Sequence, residues 1–241
     1  MVEDFPPSQR PAWQVVGTEM LALTASGALF PFGLRKHHVT TPRKRDQRTV
    51  VLLHGYMANR STMLPLATYL RWRGYSQILY FDYASAEGIE RNALALKRFL
   101  KKNVRGGRVD LVCHSMGGLV ARAYLQLLGG NRRVDRCITL STPHQGTYMS
   151  YWIVSRVGKE MRPDSKVMKR LEETRQSAEN VRMVSIVAGS DNIVVPRIHS
   201  AHEEVYVIPD LGHVGVLFSL NSARIVAQQL ERAVAPNPKH H

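Results

Sequence analysis

The chain has 241 residues, 44% of them hydrophobic, and 33 lysines and arginines against 19 aspartates and glutamates give it a formal net charge of +14. That length and apolar content suit one domain with a full core, and two cysteines, Cys113 and Cys137, are too few for a disulfide framework and read as buried thiols on neighbouring strands. The basic residues are scattered over Arg35-Lys36, Arg43-Lys44-Arg45, Lys101-Lys102 and Arg132-Arg133 with no nucleic-acid-binding motif, so nucleic acid is not an expected partner; a solvated basic surface is the default, and an anionic membrane surface or acidic partner the alternative.

In chain order, Met1-Val2-Glu3-Asp4-Phe5-Pro6-Pro7 lacks the basic start of a secretory signal. Met20 to Leu34 is apolar, contains Thr24, Ser26 and Pro31, and is short for a membrane span. It is expected to pack on the domain. The alternatives are an interfacial anchor or the remnant of a longer membrane segment, and residues 1–47 are read as an N-terminal extension. Apolar runs then predict strands near 49–53, 77–82, 109–113, 136–140, 183–188 and 204–208. Helices are expected near 61–73, 86–103, 116–128 and 219–234; in the second, Ile89, Ala93, Leu96 and Leu100 recur on one face. Such alternation predicts an α/β domain over 48–234, with a mostly parallel central sheet and helices on both faces. Residues 235–241, closing on Lys239-His240-His241, read as a tail resembling a purification-tag stub.

The most informative stretch is Leu111-Val112-Cys113-His114-Ser115-Met116-Gly117-Gly118-Leu119-Val120. A buried strand ends at a serine, and a glycine pair opens a helix, which is the pattern of a nucleophile elbow. A serine hydroxyl attacks only when a base takes its proton, and the base is normally a histidine oriented by a carboxylate. With an elbow serine these follow in the order acid, then histidine. Downstream lie His144, His199, His202, His213 and the terminal pair. His213, in Leu211-Gly212-His213-Val214-Gly215 after a late strand, is the candidate base; His199 and His202 sit in a polar stretch and read as solvated. For the acid, Asp191 follows the 183–188 strand directly, whereas Asp210 competes from the base's own loop. Donors for an oxyanion are expected from the Met116 N–H and, after the 49–53 strand, from the Tyr56 N–H beside Gly55. His54 reads as a structural brace, and no ligand spacing for a metal accompanies it.

These residues resemble the α/β-hydrolases, and within them the bacterial lipases. The resemblance rests on Val51-Leu52-Leu53-His54-Gly55-Tyr56, Cys113-His114-Ser115-Met116-Gly117-Gly118, Ser141-Thr142-Pro143-His144-Gln145-Gly146 and Gly212-His213-Val214-Gly215-Val216-Leu217. The last segment is most similar to the small, nearly lidless lipases. The resemblance spans about residues 48 to 234. It implies Ser115 as nucleophile, Asp191 as acid, His213 as base, and the N–H groups of Tyr56 and Met116 as oxyanion hole. Two departures stand out. Cys113 occupies the position of the first elbow glycine, and Thr147 to Arg175 is an insertion that the smallest lipases lack.

The insertion carries Tyr148, Met149, Tyr151, Trp152, Ile153, Val154 and Val157, then a basic half. It is read as a small cap over an acyl pocket, with Met149, Trp152 and Ile153 touching substrate; a helix pair that merely closes the domain is the alternative. The expected activity is that of a serine carboxylic-ester hydrolase, an esterase or lipase. Acyl transfer or phospholipid deacylation with the same triad is the alternative, and a non-catalytic membrane-associated interaction protein on a hydrolase scaffold is the third reading. The expected partner is an acyl-ester or lipid substrate. No cofactor or metal is expected, the chain is expected to act as a monomer, and a cytoplasmic or peripherally membrane-associated location is favoured.

Overall fold

All six apolar runs form strands, within two residues of their expected limits. They are β1 (Thr49–Leu53), β2 (Ile78–Phe81), β3 (Val109–His114), β4 (Val134–Leu140), β5 (Arg182–Ala188) and β6 (Glu204–Ile208). The computed structural model describes residues 10–34, 48–104, 106–195 and 204–232; the basic runs at 35–36 and 43–45, His199, His202 and the tail lie outside them. The strands join in the order β2-β1-β3-β4-β5-β6 and every pairing is parallel. Every residue of β1, β2, β3 and β4 is buried, which is why these strands read as unbroken apolar runs rather than alternating ones.

Helices cover both faces. Helices α3 (Ile89–Asn103), α4 (Met116–Leu127), α5 (Arg156–Glu160) and α6 (Lys166–Glu173) bury Leu96, Leu119, Val157 and Leu171 against one face. Helices α2 (Leu64–Trp72), α7 (Gly215–Phe218) and α8 (Leu220–Glu231) bury Leu66, Leu70, Val216 and Val226 against the other. A doubly covered parallel sheet leaves its loops at the strand ends, and its ligand site at the carboxyl ends. Ser115, Asp191 and His213 lie on the loops at the carboxyl ends of β3, β5 and β6.

The N-terminal apolar stretch is longer than its sequence pattern indicated. Helix α1 runs Ala12–Leu34, 23 residues, long and apolar enough by length and composition to cross a membrane. The expectation of a stretch too short for a span is therefore corrected. Gln14, Thr18 and Glu19 break the apolar pattern but not the helix, and Glu19 finds hydrogen-bond donors on the domain. The helix lies along the domain surface. Asn59 Nδ2 donates to the Phe30 carbonyl at 3.0 Å, and the Arg60 guanidinium to that of Phe32 at 3.3 Å. The insertion at 147–175 divides in two. A 3₁₀ turn, Tyr148–Trp152, is largely exposed, whereas α5 and α6 place Val157, Met161, Met168 and Leu171 in the core.

At the opposite end of the sheet from those loops, a buried ion pair joins two neighbouring strands. Asp110 on β3 and Arg136 on β4 are register partners. Arg136 is fully buried and donates to both carboxylate oxygens of Asp110, at 3.1 and 3.2 Å, and to the Arg232 carbonyl just past α8. Removing one partner strands a charge in the interior. Asp110→Ala should therefore destabilise the fold by about 3–5 kcal/mol, while Asp110→Leu/Arg136→Met should recover most of that loss. Urea denaturation of the three proteins checks both halves of this expectation.

Candidate active site

Ser115 sits between the last residue of β3 and the first of α4 with φ 50° and ψ −126°, a left-handed conformation unusual for a residue with a side chain. Its neighbours make room for it. A Cβ on Gly117 would stand 2.6 Å from the His54 carbonyl, and one on Gly118 would collide with Thr142. Cys113 points into the core and is fully buried, so the elbow tolerates a thiol where glycine is commoner. The Ser115 N–H donates to the Leu140 carbonyl at 2.8 Å and its own carbonyl accepts from Thr142 Oγ1 at 2.9 Å, so β4 and its following loop grip the turn.

The other two side chains converge on this serine. His213 Nδ1 donates to Asp191 Oδ2 at 2.8 Å, and its Nε2 lies 3.0 Å from Ser115 Oγ, the geometry for accepting the hydroxyl proton. The second oxygen of Asp191 accepts the N–H groups of Ile193 and Val194 at 2.8 and 3.0 Å, which fixes the carboxylate's orientation. Burial pushes the Asp191 carboxyl up, but the His213 hydrogen bond and these N–H donors outweigh it and hold it below its ordinary value. Asp210 faces elsewhere. It accepts the Arg10 N–H at 3.1 Å and lies 4.0 Å from that guanidinium.

Beside the serine lies a cavity of about 690 Å³ lined chiefly by apolar side chains. Tyr56 borders it, carried there by Gly55, whose missing Cβ would lie 3.1 Å from that of Ser115. The neighbouring Met57 N–H is occupied by Ser85 Oγ at 3.0 Å. The Met116 N–H opens α4 directly after the serine. Met149, Trp152 and Ile153 all border the cavity, as does Met161, so the exposed half of the insertion forms its rim and the buried half forms domain core. His54 stacks on Tyr83 with ring centroids 4.3 Å apart and makes a 2.9 Å contact to the Gly55 carbonyl, consistent with a brace. His144 is buried away from the serine, against Thr139 Oγ1 at 3.0 Å and Ser185 Oγ at 3.3 Å. Cys113 and Cys137 are both free and buried.

Three contributors were not read from the sequence. Glu19 of α1 accepts the N–H groups of Val214 and Gly215, at 2.7 and 2.8 Å, and so holds the segment that follows His213. Arg122, buried in α4, donates to the carbonyls of His144 and Leu171, tying the loop after β4 to α6. His114 Nε2 donates to the His213 carbonyl at 3.0 Å. Nothing local marks Glu19 or Arg122, since their partners are remote in sequence; His114 adjoins the serine, but its partner lies on another loop.

Burial, reinforced by neighbouring His213, pushes His114 down to about 3, so it stays neutral in the folded protein. The unfolded imidazole takes up a proton near its ordinary 6.5, so acid favours the unfolded chain. Between pH 6.5 and 5 the protein should lose roughly 1–2 kcal/mol more stability than its His114→Gln variant, which keeps a donor for the His213 carbonyl. Urea midpoints across that range check it; equal pH slopes would refute the assignment.

Comparison with known proteins places the chain in a family. Residues 89–223, more than half of the chain and including Ser115, Asp191 and His213, match the family model of the PGAP1-like alpha/beta domain. Among solved structures, the mature lipase BlEst2 of Bacillus licheniformis superposes with a TM-score of 0.64 at 15% identity, covering 80% of this chain and 95% of that one. Lipase B of Aspergillus fumigatus gives 0.67 at 16% identity, covering 84% of this chain and 58% of that one. Phospholipase PlaB of Legionella pneumophila gives 0.51 at 15% identity over 59% and 39% of the two chains. At such identities these likenesses speak for the fold. The matched model, over more than half of the chain, establishes that the chain belongs to the PGAP1-like alpha/beta domain family, and its doubly covered parallel sheet is the α/β-hydrolase fold.

Proposed function

We propose that the chain is a serine carboxylic-ester hydrolase that cleaves acyl esters through an acyl-enzyme intermediate. The observation that carries this reading is the hydrogen-bonded series Asp191–His213–Ser115 at the wall of an apolar cavity. In this reading Ser115 Oγ attacks the ester carbonyl carbon while His213 Nε2 takes its proton, and the Asp191 carboxylate stabilises the resulting imidazolium. The oxygen that gains charge accepts hydrogen bonds from the Tyr56 and Met116 N–H groups. His213 then protonates the departing alcohol oxygen. Water, deprotonated by the same imidazole, attacks the acyl carbon and releases the carboxylic acid, restoring Ser115. The acyl chain lies along the apolar cavity, where flexible Met149 and aromatic Trp152 accommodate it.

Ser115→Ala should lower kcat/KM by at least about a thousandfold and abolish labelling by a fluorophosphonate, with the fold retained. A variant keeping more than about a hundredth of the activity would place the nucleophile elsewhere. Asp191→Asn should cost a comparable factor, whereas Asp210→Asn should change the rate only a few-fold, because Asp210 pairs with Arg10.

The rim gives a separate test of substrate binding. Trp152 is 83% exposed and Met149 42%, so neither contributes much to the core. Trp152→Ala and Met149→Ala should shift the preferred acyl-chain length of p-nitrophenyl esters while moving Tm by no more than a few degrees. A large drop in Tm with unchanged chain-length preference would count against the rim as the acyl-binding element.

A further inference from the structure

Helix α1 is inside out for a helix packed on a domain. Its domain-facing stripe is built from small or polar residues: Val15, Ala22 and Gly33 are buried, and Glu19 caps the segment after His213. Its large apolar residues face outward, with Trp13 73%, Leu21 71% and Leu34 70% exposed, and Met20 beside them. A helix packed on a core ordinarily buries its large apolar stripe. The one charged residue of α1 is Glu19, which is turned inward, so nothing ionised interrupts the outer face.

That outer face is continuous with the cavity. Leu23, Ser26, Gly27 and Phe30 on the flank of α1 line the space beside Ser115. Exposed Met57, Trp152 and Ile193 line it from other loops. The mouth of an apolar cavity therefore opens within an apolar surface. The contacts of the helix also fix how it can meet a membrane. It is held to the domain at Glu19, Phe30 and Phe32, over most of its length, and crossing a bilayer would break all of these. The chain's net charge of +14 supplies attraction to an anionic surface.

We propose that α1 lies flat on an anionic lipid bilayer, with Trp13, Met20, Leu21 and Leu34 inserted among the acyl chains and the cavity mouth facing the leaflet. An acyl chain then passes from the leaflet to Ser115 along the flank of α1 without crossing water. The route rests on the ester-hydrolase reading; the docking does not.

The test uses the full chain carrying Ser115→Ala, so that binding is read without turnover. It is sedimented with sucrose-loaded vesicles of phosphatidylcholine alone, or with one-third phosphatidylglycerol, at low and high salt. Binding to the anionic vesicles should weaken with salt, and Trp13→Ser/Leu21→Ser should lower the partition coefficient at least about tenfold with an unchanged circular dichroism spectrum. A second measurement does not depend on that double variant. In a Trp13→Phe/Trp72→Phe/Trp152→Phe background, Leu21→Trp places a single indole at mid-helix. Lipids brominated near the headgroup should quench it more strongly than lipids brominated near the chain ends. Absence of binding to anionic vesicles, or undiminished binding by the double variant, would overturn the proposal. So would stronger quenching from the chain ends, the mark of a spanning helix, or a lipid-free dimer that the double variant dissolves, the mark of a second copy on this face. Failure of the hydrolase reading would instead appear as absent fluorophosphonate labelling of the unsubstituted protein with vesicle binding intact.

Discussion

Ser115 holds a backbone conformation that costs a residue with a side chain roughly 1–3 kcal/mol, and the site depends on the surrounding sheet imposing it. The restraints come from several elements at once. Leu140, at the end of β4, accepts the Ser115 N–H, Thr142 donates to its carbonyl, and the close approach of the β1 loop leaves room only for glycine at 117. A serine on an isolated strand–turn–helix would relax. Between β1 and β4 it cannot, so its hydroxyl stands clear of the sheet with its direction fixed.

The same economy governs the partners of the serine. Asp191 leaves β5 and immediately binds its own following N–H groups, so its other oxygen is aimed at the His213 ring. His213 is held through its ring by Asp191, through its carbonyl by His114, and through the two N–H groups that follow it by Glu19. Three elements distant in sequence thus set one imidazole. Because His114 is buried and stays neutral, it places no charge beside His213 over the pH range in which an ordinary histidine would titrate.

Helix α1 and the 3₁₀ turn at Tyr148–Trp152 give the cavity walls that a minimal sheet of this kind lacks. Both show large apolar side chains to the outside while lining the space within. Glu19 makes α1 a structural neighbour of His213 and not an appendage, so whatever the outer face of that helix meets is mechanically close to the imidazole.

The sequence by itself determined the sheet and the reactive loops. Strands buried on both faces must be apolar throughout, so β1 to β4 were visible as runs, and Ser115, Asp191 and His213 each follow a strand in a turn whose local chemistry announces it. Tertiary structure alone decided the rest. Glu19 lies 195 residues from Val214, and Arg122 lies 49 from Leu171; no local periodicity encodes such a pairing. The full length of α1 was hidden because the polar side chains that interrupt its pattern, Glu19 above all, are satisfied by the domain rather than by the helix. In the insertion, an apolar first half and a basic second half did not announce which would pack on the sheet. Only packing separated the exposed rim at Trp152 from the core at Val157 and Leu171, because apolar residues look alike in sequence whether they face a sheet or a cavity mouth.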